Sequence, residues 1–444
     1  MHLKKYKLHF VGIGGVGMCG LAELLHNLGA RVSGSDLGVN ANVERLVSLG
    51  IRCEKGHEAD FLEDDTDVLV YSSAVPVSNP EVMKAKILGM PTIPRAEILA
   101  EIMRLQRGIA VAGTHGKTTT TSMIGNMLIH AGKKPTIVVG GRLDLIKSTA
   151  LLGEGEWMVA EADESDGSFL KLNPEVTVIT NIDDDHMDYY KNKDNLDQAF
   201  LDFALKTPFY GLSVVHGDDK RLLAIMQEFP KKFVSYGFEA HNDYVLKGEA
   251  GSYQVFFHGK KVSDLHPALP GKHNAMNALA AFIVGKHLGL TDEEAAEGLR
   301  HFKGVGRRLE FKGSDHGLQR YDDYAHHPTE LRATLQALRE KYPDKKLLGV
   351  FQPHRYSRTR LCWDEFLECF GELDRLIITD IYAASEAPVP GVESAAMVEQ
   401  MDHPEVKYLA SNELGLNLQA DDYQGFDVII TLGAGNVFSL KMND

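Results

Sequence analysis

The sequence predicts an α/β protein of three domains with mostly parallel sheets. Three observations carry that expectation. The length of 444 residues fits about three domains. Short β-branched runs alternate with longer helical patterns in three successive stretches, as parallel strands joined by helical crossovers require. Glycine-rich turns stand between a strand pattern and a helix pattern twice, GIGGVG at 12–17 and GTHGKT at 113–118.

In the first stretch Leu8–Val11 reads as a strand running into glycines, Leu21–Leu28 as a helix, and Ala30–Gly34 as a strand ending in Ser35 and Asp36. Val68–Tyr71 and Pro91–Ile93 are further strands separated by a helix from Pro80, and a helix over Ala96–Arg107 closes the unit. The second stretch opens with strand Ile109–Ala112, a glycine turn and a helix. Strand patterns recur at Trp157–Ala160, Val176–Thr180 and Leu212–Val215. Tyr253–Phe257 reads as a hairpin strand, and residues 269–290 as a turn entering an alanine-rich buried helix. The third stretch holds strands Leu318–Tyr321, Lys346–Phe351, Leu376–Thr379 and Val428–Thr431 with helices between them. The expected domains are therefore 1–107, 108–313 and 314–444.

Hydrophobic content of 44% and charged content of 25% are those of a globular protein. A net charge of −15 argues against binding a nucleic-acid backbone, which needs excess Lys and Arg. The four cysteines, Cys19, Cys53, Cys362 and Cys369, form no C-x-x-C pair, so neither a zinc ribbon nor a disulfide framework is expected, and a reducing cytoplasm fits. No apolar run approaches the roughly 18 residues of a membrane span. The N-terminal lysines precede a run broken at once by glycines, a first strand rather than a signal peptide.

The stretch GIAVAGTHGKTTTTSM (108–123) resembles a phosphate loop with its first glycine displaced, because Val111 stands where G-x-x-x-x-G-K-[ST] has glycine. Gly113 lies closer in. Backbone amides bared by glycines at a helix N-terminus make an anion nest. Lys117 can reach terminal phosphates, and the Thr118 hydroxyl can ligate Mg²⁺. The bland alternative is a βα turn with a chance GKT; strand, glycines, Lys, Thr and helix in this order favour ATP. VAEADESD and VITNIDDDHMD place acids past strand ends, where ligands of parallel sheets bind. Glu161 is the first such acid, and His186 a further ligand or a supporting group. Such loops alone are usually solvated surface; beside a phosphate loop they gain meaning.

Gly12, Gly14 and Gly17 satisfy G-x-G-x-x-G, and Asp36 ends the next strand, which makes the first domain Rossmann-like. Read naively this is an NAD site, yet the turn selects a diphosphate, and a UDP-sugar would serve equally. YDDYAHHPTE (321–330) sets Asp322, Asp323, His326 and His327 ahead of a helix near Pro328; these could be caps, metal ligands or substrate-orienting groups. FQPHRYSRTR (351–360) offers His354, Arg355, Arg358 and Arg360. Arg355 and Arg358 suit an anionic group, while Arg360 reads as exposed.

Taken in order, GIGGVGM, SGSD, SSAVPVSNPE, AGTHGKTTTTSM, AEADESD, TNIDDDHMD, GKHNAMNALAA, GVGRRLEF, DDYAHHPTE and FQPHRYSRTR resemble the Mur ligases over essentially the whole chain. The SSA and QPHRYSRTR segments are similar to the alanine-adding branch rather than the tripeptide-recycling one. Mur and folylpolyglutamate ligases share the shortened G-T-x-G-K-[ST] loop, so Val111 belongs to the strand. The resemblance implies an N-terminal Rossmann-like UDP-binding domain, a central P-loop ATPase-like domain and a C-terminal Rossmann-like domain for the amino acid. It implies cytoplasmic ATP-dependent amide formation in peptidoglycan precursor synthesis: the UDP-N-acetylmuramate carboxylate becomes an acyl phosphate, L-alanine attacks, and phosphate leaves.

The resemblance also implies roles. Gly113, Thr114, His115, Gly116, Lys117, Thr118 and Thr119 would hold phosphates; Thr118, Glu161 and His186 would arrange Mg²⁺. His273, Asn277, Arg308 and Asp323 would contact ATP. Gly12, Gly14, Gly15, Val16, Gly17, Asp36, His57, Ser72, Ser73 and Arg95 would face UDP-N-acetylmuramate. Tyr324, His326, Arg355 and Arg358 would surround alanine. Lys117, His186, His326 and Arg355 would carry catalysis, in a monomer or homodimer whose domains close over the substrates. Ala325 departs from the expected glycine, and Asp183 and Asp184 replace a more usual Glu-Ala pair. No lysine here matches the carbamylated lysine of several sister ligases. An NAD oxidoreductase is the competing class; it leaves Gly113–Thr119 and the arginine segment unexplained. A nucleotide-switch module leaves the first domain unexplained.

Overall fold

The computed structural model describes residues 2–72, 74–143, 148–411 and 416–443; the expectation for Ser73 lies outside them. The chain forms two compact units. One comprises 1–248, 252–268 and 276–303, the other 249–251, 269–275 and 304–444.

The first unit carries two sheets. Its smaller sheet has five parallel strands in the order Arg52–Lys55, Arg31–Asp36, Lys7–Val11, Val68–Tyr71, Thr92–Pro94. Phe10, Leu21, Leu25 and Val70 are fully buried around the central strand, so the apolar runs visible in the sequence are the packed ones. The order doubles back beside Lys7–Val11, and the GIGGVG turn leaves the carboxyl end of that strand at the switch point.

The larger sheet has ten strands. Its parallel centre is Leu212–His216, Val176–Ile179, Arg107–Ala112, Trp157–Glu161 and Thr136–Leu143. Antiparallel pairs edge it, Ser252–Phe257 with Lys260–Leu265 and Thr136–Leu143 with Ser148–Leu151. The helix expected over Ala96–Arg107 spans only Arg95–Met103. Arg107 instead opens the next strand, its amide donating to the Glu156 carbonyl at 2.8 Å.

The second unit holds a sheet of six strands, Glu310–Asp315, Leu318–Asp323, Val428–Leu432, Leu347–Phe351, Arg375–Ile378 and Val406–Tyr408. All pairings are parallel except the first, a hairpin. That hairpin begins at Glu310, so the boundary expected at 313 falls inside a strand. Phe351, Phe366 and Phe370 pack together on one face. Among the described residues all four cysteines are free, and no helix is long and apolar enough to cross a membrane.

Candidate active site

The phosphate-loop candidate joins strand Arg107–Ala112 to helix Lys117–His130. Gly113 and Gly116 have φ of 130° and 84°, a region that side chains resist. A Cβ at Gly113 would run into the Thr180 hydroxyl; one at Gly116 would lie 2.7 Å from Asn277 Oδ1. The end of the neighbouring strand clamps the turn. Thr180 Oγ1 donates to the His115 carbonyl at 2.5 Å, the His115 amide donates to Asn181 Oδ1 at 2.9 Å, and the Thr114 amide donates to the Asn181 carbonyl at 3.1 Å. His115 Nε2 also stands 3.1 Å from Asp183 Oδ2.

Lys117 folds back over the turn. Its ammonium donates to the Gly113 and Thr114 carbonyls at 2.7 and 3.0 Å and to Glu164 Oε1 at 2.8 Å. Thr118 Oγ1 donates to Glu161 Oε1 at 3.1 Å, and the other oxygen of Glu161 accepts from the Gly140 amide at 2.6 Å. His186, in left-handed backbone at φ 58°, brings Nε2 to 3.9 Å from Glu164 Oε1. Thus Lys117, Thr118, Glu161 and His186 meet at the carboxyl ends of central strands with Asn277, while Thr119 is buried in the first helical turn. Asp184 belongs elsewhere, pairing with Arg221 at 2.7 Å and with Lys193.

The charges of this cluster are interdependent. Burial penalises the Lys117 ammonium, but the carboxylates of Glu164, Asp163 and Glu161 outweigh it and hold its pKa above the ordinary lysine value. Burial pushes Glu164 up to about 7, with Lys117 pulling down and Asp163 pushing further up. For Asp163 burial acts upward, yet Lys117 and Arg95 hold it below the usual carboxylate range. Asp163 Oδ2 lies 3.2 Å from Arg95 Nη2. Glu164, Asp163 and Asn181 were not singled out in the sequence, although all three stand inside motifs that were.

At the smaller sheet the Gly12 and Ile13 amides donate to the Ser35 carbonyl at 2.8 and 3.0 Å. Gly15 caps the helix Val16–Asn27, whose first residue, Val16, is exposed. Asp36, expected to face substrate, spends Oδ2 on the Gly14 amide at 2.8 Å and so shapes the turn itself. The Arg95 guanidinium packs where a Gly17 Cβ would stand, and Ser72 lies beside Gly12. His57 Nδ1 is 2.9 Å from Ser35 Oγ and 3.0 Å from Glu81 Oε1. Glu81, from the SSAVPVSNPE stretch, is wholly buried and takes His9 Nε2 at 2.6 Å on its other oxygen. It too escaped the sequence reading.

In the second unit Asp323 receives the Leu309 and Ala325 amides at 2.6 and 2.7 Å, pinning the loop that follows its strand. Burial pushes its carboxyl up to about 6, against the pull of Arg308 and these amides. Arg308 lies 5.3 Å from the centre of the Tyr324 ring and 3.8 Å from Glu330. His326 Nδ1 sits 3.0 Å from the Tyr324 carbonyl, its ring edge-on to Tyr324 and His354. His327 caps the helix Pro328–Lys341, and Asp322 takes the Arg307 guanidinium at 3.0 Å. Desolvation draws His273 down to about 4, so it is neutral at physiological pH. Arg355, at φ 69°, donates from Nε to Glu386 Oε1 at 2.6 Å; Arg358 is buried and Arg360 exposed. Glu386 lies far from any motif and gave no signal.

Three family profiles match in succession: the Mur ligase family catalytic domain over 7–107, the Mur ligase middle domain over 111–285, and the Mur ligase glutamate ligase domain over 307–435. The UDP-N-acetylmuramate–L-alanine ligase of Bdellovibrio bacteriovorus is 52% identical over 100% of this chain and 99% of its own. The chain belongs to the Mur ligase family. The UDP-N-acetylmuramate–L-alanine ligase of Geobacter sulfurreducens is 46% identical over 99% of this chain and 96% of its own. The crystal structure of the UDP-N-acetylmuramate–alanine ligase from Thermotoga maritima superposes with a TM-score of 0.82 at 28% identity, covering 98% of this chain and 96% of that one. A murein peptide ligase from Psychrobacter arcticus shares the Mur ligase fold at 22% identity, with a TM-score of 0.73 over 97% of this chain and 96% of that one.

Proposed function

We propose that this Mur ligase joins L-alanine to UDP-N-acetylmuramate with hydrolysis of ATP, as a cytoplasmic step of peptidoglycan precursor synthesis. The observation that carries the reading is the 52% identity with an alanine-adding ligase along the entire chain. A carboxylate is a poor electrophile. Transfer of the ATP γ-phosphoryl group onto its oxygen makes an acyl phosphate and releases ADP. The alanine amine then attacks the carbonyl carbon, the C–O bond to phosphate breaks so that inorganic phosphate leaves, and the amide nitrogen gives its proton to solvent. The protein supplies position and charge neutralisation.

In this reading the domain of the five-stranded sheet binds the sugar nucleotide, that of the ten-stranded sheet the ATP and that of the six-stranded sheet the amino acid. The Gly113–Thr119 amides and Lys117 hold the phosphates, with His273, Asn277, Arg308 and Asp323 contributing to the nucleotide site. The oxygen donors of Thr118 and Glu161 converge within 3.1 Å, and Glu164 Oε2 is buried without a hydrogen-bond partner among the described residues. Such hard donors fit Mg²⁺, which would supply charge neutralisation of the phosphates, with His186 beside it. The GIGGVG turn, Asp36, His57, Ser72, Ser73 and Arg95 serve the sugar nucleotide, Asp36 by shaping the turn. Tyr324, His326, Arg355 and Arg358 surround alanine, and Glu386 holds Arg355 in place.

Phosphate release with ATP, Mg²⁺ and UDP-N-acetylmuramate should depend on L-alanine. Stimulation by an L-alanyl tripeptide and none by L-alanine would assign the chain to peptide recycling instead. Thermal protection by NADH and none by ATP would return it to the oxidoreductases.

A further inference from the structure

We infer that Glu164 is a built-in stand-in for a nucleotide phosphate, a positioning residue that holds the Lys117 ammonium and must release it before Lys117 can bind ATP. The inference deepens the proposed function and rests on its placement of ATP phosphates at Lys117.

An ammonium has three donors, and all three of Lys117 are engaged, on Gly113 O, Thr114 O and Glu164 Oε1. The two carbonyls belong to the turn itself and fix the lysine over it. The third partner is anionic and comes from the AEADESD loop. A phosphate oxygen that takes a donor from Lys117 therefore competes with a carboxylate rather than with water.

That carboxylate is not free to follow. Its side chain is 1% exposed, and the Tyr190 hydroxyl donates to the Glu164 carbonyl at 2.5 Å, tethering the backbone behind it. Oε2 is buried with no hydrogen-bond partner among the described residues. One oxygen on Lys117 and the other unsatisfied make a buried charge whose main compensation is the ammonium. When Lys117 turns to a phosphate, Glu164 loses that compensation beside Asp163 while it faces an anionic ligand. Both consequences oppose binding of metal-free nucleotide. A divalent cation bound among these oxygens would neutralise the freed carboxylate, so the opposition is largest without metal.

The test is the affinity for ATP in EDTA, without sugar nucleotide so that no transfer occurs, by calorimetric titration. Glu164→Gln keeps the shape and an acceptor for Lys117 but removes the charge; it should bind metal-free ATP roughly tenfold more tightly than the native chain. Added Mg²⁺ should then strengthen binding more in the native protein than in the variant. Glu164→Asp retains the charge and should stay within about threefold of native or bind more weakly. A purely structural role predicts weaker binding in every variant. Equal or weaker metal-free binding by Glu164→Gln would overturn the inference while leaving the ligase reading intact. A native protein that fails to bind ATP even with Mg²⁺ would remove the ligase reading and the inference together.

Discussion

Asp323, which the proposed function places in the nucleotide site, already has an architectural task. Its carboxyl gathers the Leu309 and Ala325 amides, so it organises the loop carrying Tyr324 and His326 before any ligand arrives. Burial raises its pKa to about 6 from 3.8, which means the folded chain retains a proton that the unfolded chain has lost. Between those values stability falls as pH rises. The contribution is fully present below about pH 4, is lost as pH passes through about 6, and amounts to at most about 3 kcal/mol. Asp323→Asn does not titrate there. The stability of the native chain relative to this variant should therefore shrink from about pH 4 to about pH 7 in parallel melting experiments. A constant difference across that range would show that the carboxyl is not perturbed.

At the scale of elements, the turn at Gly113–Gly116 depends on the strand beside it as well as on its own glycines. Thr180 and Asn181, at the end of strand Val176–Ile179, bind the Thr114 and His115 backbone, and the space this needs exists only because residue 113 has no Cβ. Gly113→Ala should cost about 2 kcal/mol or more through positive φ and collision with Thr180, and should abolish ATP binding. Melting and nucleotide titration together check this; a stable variant with native affinity would show that the turn adapts. The same dependence explains what the sequence disclosed. Most central strands were legible because runs such as Val176–Ile179 are buried on both faces and read as unbroken apolar stretches, whereas Thr136–Leu143, broken by Gly140 and Gly141, went unread. Arg52–Lys55, Lys260–Leu265, Glu310–Asp315 and Val406–Tyr408 went unread because they lie at sheet edges, where side chains are charged or half exposed. Lys117, Thr118 and Glu161 could be grouped beforehand, since Lys117 and Thr118 open the helix after strand Arg107–Ala112 and Glu161 ends strand Trp157–Glu161. Glu386 reaches Arg355 from 31 positions away with no motif around it, so only the folded chain discloses it.

At the scale of the whole molecule, the proposed machinery is distributed over separate sheets. The GIGGVG turn leaves the five-stranded sheet and Lys117 the ten-stranded sheet of one unit, while Arg355 follows a strand of the six-stranded sheet in the other. Binding and chemistry should therefore come apart under mutation. Lys117→Ala removes a cation expected on the transferring phosphoryl group, and turnover should fall by roughly a thousandfold or more. The affinity for UDP-N-acetylmuramate should survive, because the turn proposed to bind it is held by Ser35 and Asp36 and owes nothing to Lys117. Arg355→Ala should instead raise the KM for L-alanine and leave sugar-nucleotide affinity unchanged. Calorimetric titration of UDP-N-acetylmuramate into both variants, beside steady-state kinetics in L-alanine, tests the division. Loss of sugar-nucleotide binding in Lys117→Ala would mean the two sheets of the first unit act as a single site. The Arg95–Asp163 ion pair is the contact through which that coupling would run, since it ties the helix beside Gly17 to the acidic loop beside Lys117.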